Sequence, residues 1–263
     1  MTIADKLQAI ADNTQRVFDA GYLEGQEAGG YSEGFDAGKK AQHDAFWDAY
    51  QMGGNRTNYN GAFYGDGWNE QSFRPKHNIK PSRADYMFKT FTAFQGDLVA
   101  HLASLGVTLD FSNCNNFNET FIYCYINRVG EIDTRNASSL SSMFANSRIV
   151  TVDKLILKDE GGQTFSYTFS GCTYLENIAV SGMITKDFDI RWATNLTKRS
   201  ILSILSAADM SVGTNVPRFV VTLSRAAVNK AFETTEGAND GEESWEWQSQ
   251  VSNTESYYTT TLV

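Results

Sequence analysis

The sequence predicts an α+β chain. A short, irregular solenoid lies between an N-terminal helical segment and a small α/β C-terminal cap. Three observations carry the prediction. Phenylalanines at Phe121, Phe144 and Phe169 and the tryptophan Trp192 follow one another at spacings of 23, 25 and 23 residues. Each of the first three is trailed by aliphatics at nearly constant offsets. No Pro interrupts the chain between Pro81 and Pro217, so backbone ladders can run through this stretch unbroken.

The 263 residues are 41% hydrophobic and 20% charged, which suits one large globular domain or two modest ones and rules out a wholly disordered chain. No stretch approaches the ~20 apolar residues of a membrane span. The 22 basic and 31 acidic residues leave a net charge of −9. With no basic patch beyond Lys39-Lys40, nucleic acid is not an expected partner. Cys114, Cys124 and Cys172 cannot all pair within the chain, and residues 1–18 lack the apolar core of a secretory signal. Assembly in a reducing cytoplasm is therefore expected. The sequons at Asn55, Asn118, Asn136 and Asn195 are then chance matches.

Residues 1–51 form the expected oligomerisation or docking segment. Ile3, Leu7, Ile10, Thr14 and Val17 step by four, three, four and three, the seam of a coiled coil or of a plain amphipathic helix. A nine-residue repeat follows, Gly21 to Gly29 and Gly30 to Gly38, with Gly, Tyr, Glu, Gly, Ala and Gly in register. Gly21, Gly25, Gly30 and Gly34 fall on a stripe that lets backbones approach closely if the segment is helical. Each interior glycine costs about 1 kcal/mol relative to Ala, so either partner chains pack on the stripe or the segment is a string of turns; self-association or docking is favoured. Neither a preceding strand nor a following Lys-Ser/Thr makes this a phosphate loop. Residues 41–51 read as a helix stopped by Gly53-Gly54.

Residues 52–83 read as an aromatic- and Gly-rich junction held by packing of Tyr59, Phe63, Trp68 and Phe73, with an aromatic ligand platform as the alternative. Residues 84–205 carry the repeats. Phe121 is followed by Ile126, Val129 and Ile132 at +5, +8 and +11, and Phe144 by Ile149, Val152 and Leu155 at the same offsets. Phe169 is followed by Leu175, Ile178 and Val180 at +6, +9 and +11, as though one residue were inserted. Phe117, Leu140 and Phe165 lie four before their anchors. Phe188 with Trp192 begins a further unit, and Phe88 an earlier, irregular one. Periods of 20 to 29 with several apolar positions per turn are those of a leucine-rich-repeat-like solenoid, whose coils bury their apolar sides only on one another. Cys124, Ser147 and Cys172 share the slot three after the anchor, so the cysteines read as small core residues. With His43, His77 and His101 scattered, no metal site or cofactor is expected.

In the cap, residues 206–263, Phe219–Leu223 and the stretch 257–263 read as strands able to pair. Thr197 caps a helix over 198–208, and Ser224 caps a short one ending near Phe232. Six acidic residues between Glu233 and Glu246 lack EF-hand spacing and read as a solvated loop.

Ser142-Met143-Phe144-Ala145-Asn146-Ser147 and Tyr167-Thr168-Phe169-Ser170-Gly171-Cys172-Thr173-Tyr174-Leu175 resemble the BspA-type leucine-rich repeats, over roughly 85–205. The Gly-Tyr-x-Glu-Gly segment, residues 45–51, Gly65-Asp66-Gly67-Trp68 and residues 223–232 are similar to repeat-bearing tail proteins of phages and prophages of gut bacteria. The resemblance implies a noncatalytic virion component, either a tail fibre or receptor-binding protein or one associated with the baseplate. It would oligomerise (a trimer, by analogy with fibres) or dock through Ile3, Leu7, Ile10, Val17, Gly21, Gly25, Gly30 and Gly34. Its partners would be other tail proteins and a bacterial surface receptor, met through residues the sequence does not identify. It would be assembled in the host cytoplasm. A cell-surface adhesin and a wall-active hydrolase are the alternatives; no Gly-x-Ser-x-Gly, His-Glu-x-x-His or Cys/His dyad supports catalysis, although paired glycosidase carboxylates leave no short signature.

Overall fold

A computed structural model describes Tyr59 and residues 61–75, 77–209, 219–232 and 258–263. The expected N-terminal seam and glycine stripe, the helix over 41–51 and the acidic loop lie outside the described residues. Among those described, the chain is mixed α/β, with three helices and two three-stranded parallel sheets. In order these are α1 (Leu98–Ser104), β1 (Arg128–Asp133), β2 (Thr151–Ile156), β3 (Asn177–Ser181), β4 (Phe188–Asp189), α2 (Lys198–Asp209), β5 (Phe219–Leu223), α3 (Arg225–Ala231) and β6 (Tyr258–Leu262).

A turn recurs through the repeat region. The N–H one residue before each anchor donates to the carbonyl four before it: Ala62 to Tyr59, Met87 to Ala84, Thr120 to Phe117, Met143 to Leu140, Thr168 to Phe165 and Ala193 to Ile190. Consecutive copies are then tied backbone to backbone. Ala84, Tyr86, Phe88 and Thr90 donate to the carbonyls of Asn116, Asn118, Thr120 and Ile122, and Leu140, Ser142, Phe144 and Asn146 to those of Thr164, Ser166, Thr168 and Ser170. Within these turns the rungs share one polarity, N–H toward the following copy and C=O toward the preceding one, and bonds of the reverse sense, such as Asn115 N to Ser82 O and Thr164 N to Ser138 O, flank them. The residues read as a junction supply the first rung, because Tyr59, Gly61, Phe63 and Gly65 donate to Arg83, Asp85, Met87 and Lys89 in the same way.

Among the described residues, all seven non-glycine residues with positive φ fall on two slots, two before and two after the anchor: Tyr86, Glu119, Ser142 and Tyr167 on one, Thr90, Tyr123 and Asn146 on the other. Left-handed backbone costs an L-residue about 1 kcal/mol or more, so the recurrence shows that the turn itself demands it. Gly171 takes the second slot at φ 70, where a Cβ would stand 2.2 Å from Asn146 Oδ1.

The anchors form the core. Phe63 and Phe88 lie 5.2 Å apart, Phe88 and Phe121 5.3 Å, Phe121 and Phe144 5.5 Å, and Phe144 and Phe169 5.4 Å between centroids. Phe188 closes the column, 5.3 Å from Phe169 and tilted by 51°. Trp192 does not continue it. The turn places Thr194 in the anchor slot, 25 residues after Phe169, and Trp192 is 50% exposed. The sequence spacing of 23 misplaces that copy by two residues because either aromatic satisfies an apolar pattern, whereas only the hydrogen-bonded turn defines the register.

After the rings the chain enters β1–β2–β3, all parallel. The residue inserted after Phe169 is absorbed by an irregularity between Val152 and Leu155: Val152 pairs with Ile178, Leu155 with Val180. Both sheet edges are covered. Asp97 caps α1 and receives Arg128, which also grips Asp153 through two bonds of 2.8 Å. On the far edge, α2 supplies hydroxyls in place of a strand. Ser200 Oγ accepts from Ile178 N and donates to Glu176 O, while Ser203 Oγ accepts from Val180 N and donates to Val180 O. This satisfies an edge that would otherwise invite pairing. In the second sheet β5 lies between β4 and β6, and the strand expected near the C-terminus pairs in parallel along the whole of Phe219–Leu223. Ser224 caps α3 as expected, accepting from Ala227 N.

Candidate functional site: an aromatic-rimmed cleft

The hydrogen-bond ladder ends at the fifth copy. Phe165, Tyr167, Phe169 and Gly171 are the counterparts of Leu140, Ser142, Phe144 and Asn146, yet among the described residues their N–H groups meet no acceptor. The sixth copy turns away because β4 pairs with β5 instead, and Ile190 N donates to Thr222 O. A cleft of about 650 Å³ opens where the two copies part, a volume within the usual range for small-molecule sites.

Thr164, Phe165, Ser166, Tyr167 and Ser170 line it from the fifth copy, Thr185, Lys186, Asp187, Asp189, Arg191 and Trp192 from the segment leading into the sixth, and Phe219 from β5 lines it as well. Phe165 is buried and supports the wall, whereas Tyr167 is 76% exposed and Trp192 50%. Both occupy the slot two before the anchor. Arg191 donates to both Asp189 oxygens through Nε at 3.0 and 2.9 Å, and its Nη2 lies 2.8 Å from Oδ2. That hydrogen-bonded carboxylate holds the guanidinium more firmly charged than usual. Asp187 Oδ1 accepts from Val220 N at 2.9 Å, and Thr185 Oγ1 from Gly162 N at 2.7 Å. The hydroxyls of Ser166 and Ser170 have no partner among the described residues. The cleft thus offers two aromatic faces, backbone and hydroxyl donors, carboxylate acceptors and two cations.

A second surface feature is a stack of Tyr125, Arg148 and Tyr174. The guanidinium lies 3.9 Å from one ring centroid and 5.5 Å from the other. It bridges three copies, and the cation on two ring faces ties them together.

The oligomerisation or docking residues named from the sequence lie outside the described residues. Cys124 and Cys172 are buried as their slot predicts, Cys114 is buried as well, and all three are free thiols. Burial pushes the Cys114 thiol up to about 11 and Cys172 to about 12, and Cys124 higher still; none is poised as a nucleophile. No group of three or more His, Cys, Asp or Glu among the described residues could hold a metal. Sequence reasoning missed Tyr167 and Trp192 as surface residues; the slot they share, two before the anchor, is defined only once the hydrogen-bonded turn sets the register of the last copy.

Comparison of the chain with family models, curated proteins and solved structures finds no match.

Proposed function

We propose that the chain is a short, irregular leucine-rich-repeat-like solenoid serving as a noncatalytic virion component. It would be a tail fibre, receptor-binding or baseplate-associated protein of a phage, built in the bacterial cytoplasm and carried on the particle. It contacts a host-surface receptor or neighbouring tail proteins and self-associates or docks through residues 1–51. The observation that carries the binding role is the cleft rimmed by Tyr167 and Trp192, two large aromatics left exposed beside polar groups. The BspA-type phrases support the solenoid, as do the one-way ladder and the ring column. The virion assignment rests on the resemblance of the Gly-Tyr-x-Glu-Gly segment and residues 223–232 to phage tail proteins.

A binding role is favoured over hydrolysis because both carboxylates on the cleft wall are already engaged, Asp189 by Arg191 and Asp187 by Val220 N. Among the described residues no helix is long and apolar enough to cross a membrane.

Antibody detection of the chain on gradient-purified particles tests the reading. The chain should band with the particles. Its presence on intact uninfected cells instead would establish the adhesin alternative, and release of sugars from peptidoglycan the hydrolase. Light scattering of the full chain should give a trimer or another oligomer; a monomer would remove self-association.

A further inference from the structure

We infer that the cleft between the fifth and sixth copies is a saccharide-binding site, which takes an uncharged pyranose unit against Tyr167 and Trp192. The inference rests on the reading of the chain as a surface-binding protein and names its ligand class.

Three properties of the cleft select the ligand. First, exposed aromatic faces on its rim match the apolar C–H face of a pyranose, which has hydroxyls around its edge. Second, the fifth copy ends in N–H groups that meet no acceptor among the described residues, and those of Phe165 and Tyr167 belong to the wall. These donors sit on alternate residues, on either side of the turn's own bonds from Thr168 N and Ser170 N and around the left-handed Tyr167 at φ 56, and form a row that calls for oxygen acceptors. An extended peptide does not suit this row. The edge of a β-strand alternates N–H and C=O, so half of its groups would face donors with donors. A sugar offers oxygen at every position. Third, Asp187 and Asp189 share the opposite wall with Lys186 and Arg191, which leaves the site formally neutral. The carboxylate oxygens keep lone pairs beyond those taken by Arg191 and Val220 N and accept from sugar hydroxyls, and a wall without net positive charge gives an acidic sugar no electrostatic advantage. A hydroxyl is both donor and acceptor and uses both walls at once.

The experiment uses the full chain with a panel of uncharged oligosaccharides of four to six units: glucans, mannans, galactans and N-acetylglucosamine oligomers. Uronic-acid oligomers and phosphorylated oligosaccharides are run alongside, with binding read by saturation-transfer NMR and titration. At least one uncharged oligosaccharide should bind. Tyr167→Ala and Trp192→Ala should each weaken it at least tenfold, Trp192→Phe should keep most of the affinity, and Tyr174→Ala, an exposed aromatic outside the cleft, should change it less than twofold. Unchanged thermal midpoints in these surface variants establish that they fold. The inference is overturned if no uncharged oligosaccharide binds, if only acidic ones bind, or if binding ignores Tyr167 and Trp192. Particles that carry the chain while no sugar binds would sink the inference and leave the virion reading standing. Sugar binding lost with Trp192, in a chain absent from particles, would do the reverse.

Discussion

Phe144 sits at 1% exposure between two nearly parallel rings, Phe121 at 7° and Phe169 at 16°. Replacing it with Ala removes a buried aromatic and leaves a gap that its neighbours cannot close. Phe121 N is tied to Met143 O and Phe144 N to Thr168 O, so the spacing of the copies is set by the backbone. Phe→Ala changes in cores cost about 3–5 kcal/mol, and aromatic pairs add roughly 0.5–1.5 kcal/mol each. Because relaxation is blocked and two pairs are lost, about 4 kcal/mol is expected. With a urea slope of about 2–3 kcal/mol/M, the midpoint should fall by roughly 1.3–2 M. Phe144→Leu, which keeps the bulk and loses the stacking, should cost about 1–2 kcal/mol. Tyr167→Ala, one copy along and 76% exposed, should stay within about 0.5 kcal/mol. Urea unfolding followed by tryptophan fluorescence and circular dichroism reads all three. If Phe144→Ala costs no more than Tyr167→Ala, the ring column is not the core and the register derived from it is wrong.

Gly171→Ala should destabilise by about 1–2 kcal/mol, since it strains a left-handed position and drives a methyl into Asn146; Asn146→Gly should recover part of the loss in the double variant, and additive losses would refute the contact. Ser203→Ala strips the acceptor from Val180 N at the sheet edge and should cost about 1–2 kcal/mol, with faster hydrogen exchange at Val180; unchanged exchange would show that the hydroxyl does not protect the edge. Asp133 is held below its ordinary 3.8, chiefly by its hydrogen bonds with Arg135. A carboxyl lowered by folding contributes stability above its unfolded value, and the contribution is lost as pH falls through the folded value. Thermal midpoints should therefore drop below about pH 4, and Asp133→Asn should flatten that drop; an unaltered slope would show that the pair is not formed.

The sequence alone made the repeats legible because burial leaves a periodic mark in one dimension. Phe121, Phe144 and Phe169, with Val129, Val152 and Ile178, are core in the sequence pattern and core in the structure. The caps at Thr197 and Ser224 and the strand Phe219–Leu223 were equally readable, since cap chemistry and β-propensity act over a few residues. The first rung was not. Tyr59-Asn60-Gly61-Ala62-Phe63 lacks the Met/Thr-Phe phrase, and its bonds to residues 83–89 and the contact of Phe63 with Phe88 join it to the stack. The left-handed slots were also hidden, because Tyr, Glu, Thr and Ser fill them beside the more telling Gly and Asn.

For the cleft, the sequence determined the ingredients: two aromatics, two Asp-containing pairs with cations, and a fifth copy of the repeat. It could not say that Trp192 faces water. An apolar period records which residues prefer to be buried, and two aromatics in one copy satisfy it equally well. Tertiary structure chose between them when β4 paired with β5 in place of the fifth copy. That pairing buried Phe188, exposed Trp192 and left the donors of Phe165 and Tyr167 without acceptors among the described residues. Hydrogen-bond satisfaction across copies is a collective property of the folded chain, and the candidate site exists where that satisfaction stops.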